Sequence, residues 1–557
     1  PIVIAPRGAI PLMRDWKRMS PYDIVDSFYR TGQFENKMKA LPPRDSESWM
    51  RMKTADFLPC IDAFGQFKWR DWPGKTHCTA DLLSARKEED RDLSTHPGPN
   101  DRTAFGGWAK GPKLEATGRF RTHRDSSGKW WLVDPTGCLF WSFGPVRVSA
   151  SSAMTPMNGD WGTPRTGVPS APRDCLFEDL SLDEFWSTRD ELLWPFFLAR
   201  GETRVYDFSS ANLFRKYGKD YNTIFAELCH RRLRSWGMNT IANSSDARIC
   251  QMDQTPYAER IECQSRPIEG SHGMWWKFRD PWDESFAKGV RTALEAKGRA
   301  AHDKWCIGFF IDNEINWGGR TDLAKWTIQS PPSQPAKLAF AEWLKGKYGS
   351  IPALNAKWGS DYSDWFDFRT SISLPPPQAK DDLYQFSNLV IDRYFRVTRE
   401  TVKAFDPDLL YLGCRFAGWA RDEVVASCAK YCDVVSYNIY REKIDDWRLP
   451  AKLDAPVLIG EFHFGATDRG PFGTGVRQAK NQDDRAEKMK TYVKSALENP
   501  QIVGVHWHQF SDQATTGRFD GEYLQVGLTD ICDRPYPEMR TAVREVAENL
   551  YERRNGK

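Results

Sequence analysis

Two glutamates in this 557-residue chain stand where acid chemistry can be done. Glu314 closes the stretch IGFFIDNE (307–314), and Glu461 lies in PVLIGEF (456–462). Each follows a short apolar run of the kind that forms a buried strand. Asn313 directly precedes the first glutamate, and His463 follows the second by two residues. Two carboxyl groups facing each other across one opening can break a glycosidic bond. The protonated one gives its proton to the departing oxygen. The ionised one attacks the anomeric carbon, and water then releases the sugar. A separation of about 5–5.5 Å retains the anomeric configuration, whereas roughly 6.5–9.5 Å leaves room for water and inverts it.

Several neighbours suit the same chemistry. Asn313 is expected to donate to the sugar 2-hydroxyl, where hydrogen bonds strengthen in the transition state. Tyr437, in DVVSYNIY (433–440), is a candidate to bond the ionised carboxylate and keep it charged, with a core tyrosine as the alternative. His463 shares a strand face with Glu461. In IVGVHWHQF (502–510), His506 and His508 alternate with Trp507, and the pattern leaves open which set faces inward. Trp275, Trp276 and Trp317 are candidate platforms for flat sugar faces, with core packing as the alternative. Asp512, Gln513, Arg518 and Asp520 belong to the turn-rich SDQATTGRFDGE (511–522), a candidate sugar-binding loop.

Such residues need strands to carry them. Eight short apolar runs recur, separated by helical stretches: 138–146, 239–245, 259–264, 307–314, 410–416, 433–440, 456–462 and 502–510. Strands alternating with helices pair in parallel, and eight such units predict an α/β fold, a (β/α)8 TIM barrel. Chemistry on that fold sits at the C-terminal strand ends. Ahead of it, KLEATGRFRTHRDSSGKWWLVDPTGCLFWSFG alternates and turns at DSSG and DPTG, which predicts β-hairpins. Residues 1–111 are polar and irregular and are expected to form an N-terminal extension wrapping a barrel of residues 112–557. Within the extension, 84–99 reads as a solvated helix stopped by Pro and Gly. A further helix is expected over 381–407.

Composition narrows the partners. Lys+Arg 78 against Asp+Glu 75 excludes nucleic acid or an anionic membrane as the main partner. The 24 Trp, 32 Phe and 18 Tyr suit a polysaccharide or oligosaccharide groove. The 12 cysteines include no C-x-x-C pair and read as buried thiols. No apolar run is long enough for a transmembrane helix, and the opening PIVIAPRGAIPLMRDW is not a signal peptide. The compartment stays open: secreted or periplasmic if a signal was trimmed, cytoplasmic if the sugar is imported. No metalloprotease, Walker or dinucleotide motif occurs, so no cofactor and no catalytic metal are expected. The oligomeric state is not legible.

The Asn-Glu at the fourth run and the Glu at the seventh resemble the clan A glycoside hydrolases, which are retaining (β/α)8 barrels. Longer stretches resemble glycoside hydrolase family 50, the β-agarases: FGQFKWRDWPGK (64–75), FGGWAKGPKLEATGRFR (105–121), FFIDNEINWG (309–318), GEFHFGATDRGPF (460–472) and HWHQFSDQATTGRFDGE (506–522). The resemblance implies Glu314 as acid/base and Glu461 as nucleophile. It implies a β-1,4-galactosidic bond in agar-type galactan, cut from a chain end to release disaccharides. Trp507 as a stacking platform is a further expectation of that family. Porphyran, carrageenan or simpler β-galactosides remain alternative substrates, as does a barrel that binds sugar without cutting it.

Overall fold

The computed structural model describes residues 16–28, 40–158, 172–189, 192–199, 201–273 and 275–556. Most of the opening stretch 1–16 lies outside them. The two predicted turns fold as their composition dictates. In DSSG the Asp125 carboxylate accepts the Ser127 and Lys129 amides, each at 2.9 Å, and Gly128 takes the left-handed φ of 86°. In DPTG, Asp134 accepts the amides of Thr136 (2.9 Å) and Cys138 (3.0 Å). These Asx-type turns set the antiparallel order β1 (Arg121–Arg124), β2 (Trp130–Val133), β3 (Leu139–Phe140).

The apolar run at 138–146, read as one strand, is two. After Trp141 the chain leaves the hairpin sheet and becomes β4 (Ser142–Pro145), which pairs in parallel elsewhere. A short antiparallel pair follows, β5 (Met154–Pro156) with β6 (Val205–Asp207). Next come the parallel partners β7 (Tyr257–Ile261) and β8 (Cys306–Ile311). Then β9 (Phe416–Ala417), β10 (Val435–Asn438), β11 (Val457–Phe462) and β12 (Ile502–Trp507) join β4 in one parallel sheet, ordered β4-β12-β11-β10-β9.

Backbone hydrogen bonds continue from both sheet edges. Asn239 and Ala242 donate to Phe143 and Pro145, each at 2.9 Å, and Ala258 donates to Ile241 at 3.0 Å. On the other side Phe309 donates to Leu410 (2.9 Å) and Val434 to Tyr411 (3.2 Å). The fifth run is mostly irregular because Gly413 (φ 77°) and Arg415 (φ 54°) leave the extended region. The helices Tyr221–Trp236, Glu284–Ala296, Lys380–Phe405, Asp422–Tyr431, Gln482–Glu498 and Pro537–Glu548 alternate with these strands. Each turns one apolar stripe inward. Glu284–Ala296 buries Phe286, Val290 and Leu294, spaced four apart. The architecture is TIM-barrel-like, parallel strands alternating with helices, but the expected (β/α)8 ladder does not close as one sheet: the strand pairs divide among separate sheets.

The stretch expected as a solvated helix over 84–99 is instead the helix Thr79–Thr95, which buries Leu82, Ala85, Glu89 and Leu93. It rests on an ionic knot. Arg232 donates to both oxygens of Glu89 (2.7 and 2.8 Å) and to Asp533, which also receives Lys216 at 2.9 Å. All four side chains are buried. Burial disfavours a charged Asp533, yet Arg232 and Lys216 hold its carboxyl at about 2. Its stabilising contribution is therefore present above the ordinary carboxylate range and is lost as pH falls toward 2. Arg232→Met should leave two buried carboxylates short of a partner and cost about 3–5 kcal/mol in urea unfolding at neutral pH. A loss below ~1 kcal/mol would mean that the knot contributes nothing net.

Candidate active site

The strand β8 runs straight into Asp312, Asn313 and Glu314. Asp312 turns inward and is fixed there, accepting the Cys263 amide (2.8 Å) and the Tyr394 hydroxyl (2.6 Å). Its φ of 62° and that of Glu314, 51°, lie in the left-handed region, which costs a non-glycine residue about 1–3 kcal/mol. The turn so held presents the Glu314 carboxyl at the strand end. One oxygen accepts Asn438 Nδ2 at 2.8 Å, and the other accepts the Trp275 indole N–H at 3.2 Å.

Glu461 comes from β11. Its carboxylate is paired with the guanidinium of Arg415 and accepts the Tyr440 hydroxyl at 2.8 Å. Arg415 is fully buried and divides its remaining donors between Asn243 and Asn313, the latter at 2.7 Å from Nε. Gly460 makes room for this cation. A Cβ there would stand 3.1 Å from a guanidinium nitrogen and 3.0 Å from the Asn438 carbonyl oxygen. One network therefore joins Glu461, Arg415, Asn313, Asn438 and Glu314.

The two carboxyls titrate in opposite directions. Burial and the nearby Glu461 charge push Glu314 up. Burial opposes ionisation of Glu461 as well, but Arg415, His508 and the Tyr440 hydroxyl bring it down to about 2. Burial lowers the neighbouring histidines, His506 to about 3 and His508 to about 4, so both are neutral near pH 7. A carboxyl shifted toward its neutral form beside one held ionised is the arrangement that acid-assisted displacement at an acetal carbon requires.

The other expected residues divide. Trp275 stands at the mouth, 41% exposed, with half-buried Trp276 next in the loop. His463 accepts the Val476 amide (2.9 Å) and meets the Tyr440 ring edge-on, leaving Nδ1 buried without a partner. Tyr437 does not reach Glu461. It is buried between Phe416 and Trp447, and no hydrogen bond ties it to the site. The pairing of β10 with β11 shifts register after Tyr437, and Tyr440, two residues beyond the strand end, takes the place expected of Tyr437. Trp317 is no platform either, being 6% exposed and stacked on Phe395. Trp507 is 1% exposed, set edge-on to Phe462, with its indole N–H on the Val526 carbonyl. Asp512 is buried on the Gly527 amide and the Tyr536 hydroxyl. Gln513 and Arg518 do line a narrow cleft, together with Arg147 and Gln509. Trp419, 72% exposed and two residues beyond β9, was not foreseen. Its signal was a tryptophan bracketed by Gly418 and Ala420 at a strand end. Arg415 and Asn438 were also missed, although a lone arginine in the apolar run LYLGCRF was a visible cue.

Comparison with known proteins fits this geometry. The β-galactosidase family model Glyco_hydro_42 matches residues 287–477, a span that contains both glutamates. Beta-agarase B of Vibrio sp. (strain JT0107) is 34% identical over 550 residues, covering 92% of this chain and 57% of the relative. The chain thus spans little more than half the length of that relative. A solved exo-beta-agarase is 32% identical, with a TM-score of 0.81 over 91% of this chain and 75% of the other. The structure of PfGH50B is 32% identical, with a TM-score of 0.80 over 90% and 76%. The chain belongs to the β-agarase-like family 50 of glycoside hydrolases.

Proposed function

We propose that this protein is a retaining exo-β-agarase, cutting β-1,4-galactosidic bonds of agar-type galactan and releasing disaccharides from a chain end. The carrying observation is the opposed pair: Glu314 shifted up by burial and by Glu461, and Glu461 held ionised by Arg415 and Tyr440. In this reading Glu461 attacks the anomeric carbon while Glu314 protonates the departing oxygen. Water then enters, gives its proton to Glu314, and breaks the glycosyl ester. Asn313 spends its carbonyl on Arg415, so its amide N–H2 is left to donate to the 2-hydroxyl. Trp275, Trp276 and Trp419 serve as sugar platforms at the rim. The names of the similar solved agarases support the substrate and the exo mode.

The same proposal covers the architecture. The bonds from Phe143 to Asn239, Ile241 to Ala258 and Leu410 to Phe309 support eight strands closed as a (β/α)8 barrel over residues 112–557. Residues 1–111 then form the extension wrapping it. Phe57, Phe67 and Leu82 share an apolar cluster with Ala153, Phe208, Phe472 and Leu524, from segments beyond residue 111. A second reading, release of single galactose units from small β-galactosides, is favoured by the β-galactosidase match over 287–477.

Four outcomes are expected. On agarose, wild type should give disaccharides by mass spectrometry, and NMR should show retained anomeric configuration. Single galactose units alone would favour the second reading. Glu314→Gln should slow turnover about 10²–10⁴-fold, with azide restoring deglycosylation of an activated substrate. Full activity in both Glu314→Gln and Glu461→Gln would refute the assignment. In pH profiles of kcat/KM, activity should fall as pH rises through the raised Glu314 value and, at the acid end, only as pH nears about 2. Tyr440→Phe should move the acid limb upward and lower kcat/KM roughly 10–100-fold, the loss of a hydrogen bond to a charged group.

A further inference from the structure

Glu314 carries one N–H donor on each of its carboxyl oxygens, and the two donors differ in kind. Asn438, on one oxygen at 2.8 Å, is buried at the end of β10 and also reaches Asn313 at 3.5 Å. Trp275, on the other oxygen at 3.2 Å, stands at the mouth and is 41% exposed. The loop that carries it is pinned on both sides. Ile268 donates to the Phe278 carbonyl (2.7 Å) and Phe278 to Ser271 Oγ (2.9 Å). Asn316 Nδ2, two residues past Glu314, donates to the His272 carbonyl (3.0 Å). Gly273 permits the close turn, since a Cβ there would stand 1.8 Å from the Trp276 carbonyl oxygen. The indole itself is held by less. Among the described residues its ring meets no other aromatic ring and no cation, unlike Trp317 stacked on Phe395 and Trp507 edge-on to Phe462.

We propose that the Trp275 N–H is a placeholder for the glycosidic oxygen, bonding Glu314 until an entering sugar takes its position and releases the carboxyl to its acid form. The inference rests on the hydrolase reading above and makes Trp275 a positioning residue for the acid as well as a platform. An N–H donor stabilises a carboxylate more than a neutral carboxyl. Burial and the Glu461 charge favour the proton that Glu314 must give away, and Asn438, Trp275 and the Arg415 charge oppose it. The Tyr440 hydroxyl, bonded to Glu461, stays neutral. Of the opposing groups only Trp275 is open to the cleft mouth, because Asn438 and Arg415 are buried. The departing oxygen must come within hydrogen-bond reach of Glu314, and the carboxyl oxygen under the indole is the one on that side. As the N–H leaves, the carboxyl takes up a proton from solvent. That proton passes to the glycosidic oxygen as its bond to the anomeric carbon breaks and a Glu461 oxygen bonds to that carbon.

The test follows the basic limb of the pH profile on an agar-type tetrasaccharide whose first bond cleavage limits kcat. Trp275→Phe keeps a ring and removes the N–H. In kcat/KM, which reports the free enzyme, it should move the limb up by about 1 pH unit, the loss of one hydrogen bond to a charged group. In kcat, which reports the complex, the limb should coincide with that of wild type, because there the N–H has already left. Equal upward shifts in both profiles would overturn the inference, since the indole would then stay bonded in the complex. A fall in kcat/KM with no shift, or with a shift to lower pH, would also overturn it and leave Trp275 a platform only. Calorimetry supplies a second reading that needs no turnover. Binding of the sulfur-linked, uncleavable tetrasaccharide, compared between buffers of different ionisation heat, should take up protons in wild type and fewer in Trp275→Phe. If wild type cleaves no galactan, the hydrolase reading fails and calorimetry alone decides. Equal uptake in the two proteins, no uptake, or no binding overturns the placeholder.

Discussion

A single buried cation, Arg415, sets the conditions for everything around it. A guanidinium removed from water must find acceptors for its donors, or its burial costs several kcal/mol. Arg415 finds them on three different strand ends, at Asn243, Asn313 and Glu461. Glu461 must then stay ionised, since protonating it would strip the cation of its counter-charge. Asn313 must turn its carbonyl inward, which aims its amide outward. The fixed negative charge on Glu461 in turn helps to keep a proton on Glu314. The polarity of the pair is thus decided below the cleft, before any sugar enters.

Much of this frame was legible in the chain. The strands buried on both faces read as continuous apolar runs, because nothing there needs alternation. β8, β11 and β12 fall within one residue of the starts expected for them. Fine positions failed where the ladder is irregular. The shift after Tyr437 moved the tyrosine role three residues on, and the positive φ of Arg415 hid a functional side chain inside what read as plain strand. Neither departure has a composition signal, since each is imposed by neighbouring strands.

Tryptophan was the weaker guide. Its abundance suits sugar binding and core filling equally, so the sequence could not sort Trp317 and Trp507, both core, from Trp275, which is half open. What separates them is the backbone that carries them. Trp275 stands on a loop rich in glycine and polar residues, whereas Trp507 is the last residue of a strand that has helix Gln482–Glu498 behind it.

The loop that carries Gln513 and Arg518 is fastened to the far end of the chain. Thr515 donates to the Gly65 carbonyl at 2.7 Å, across 450 residues of sequence. β12, which precedes that loop, lies against β4 from the first third of the chain. Segments remote in sequence must therefore meet before this loop is set beside the two glutamates. The wall beside the glutamates is thus a long-range assembly, complete only when β12 docks against β4, hundreds of residues earlier in sequence.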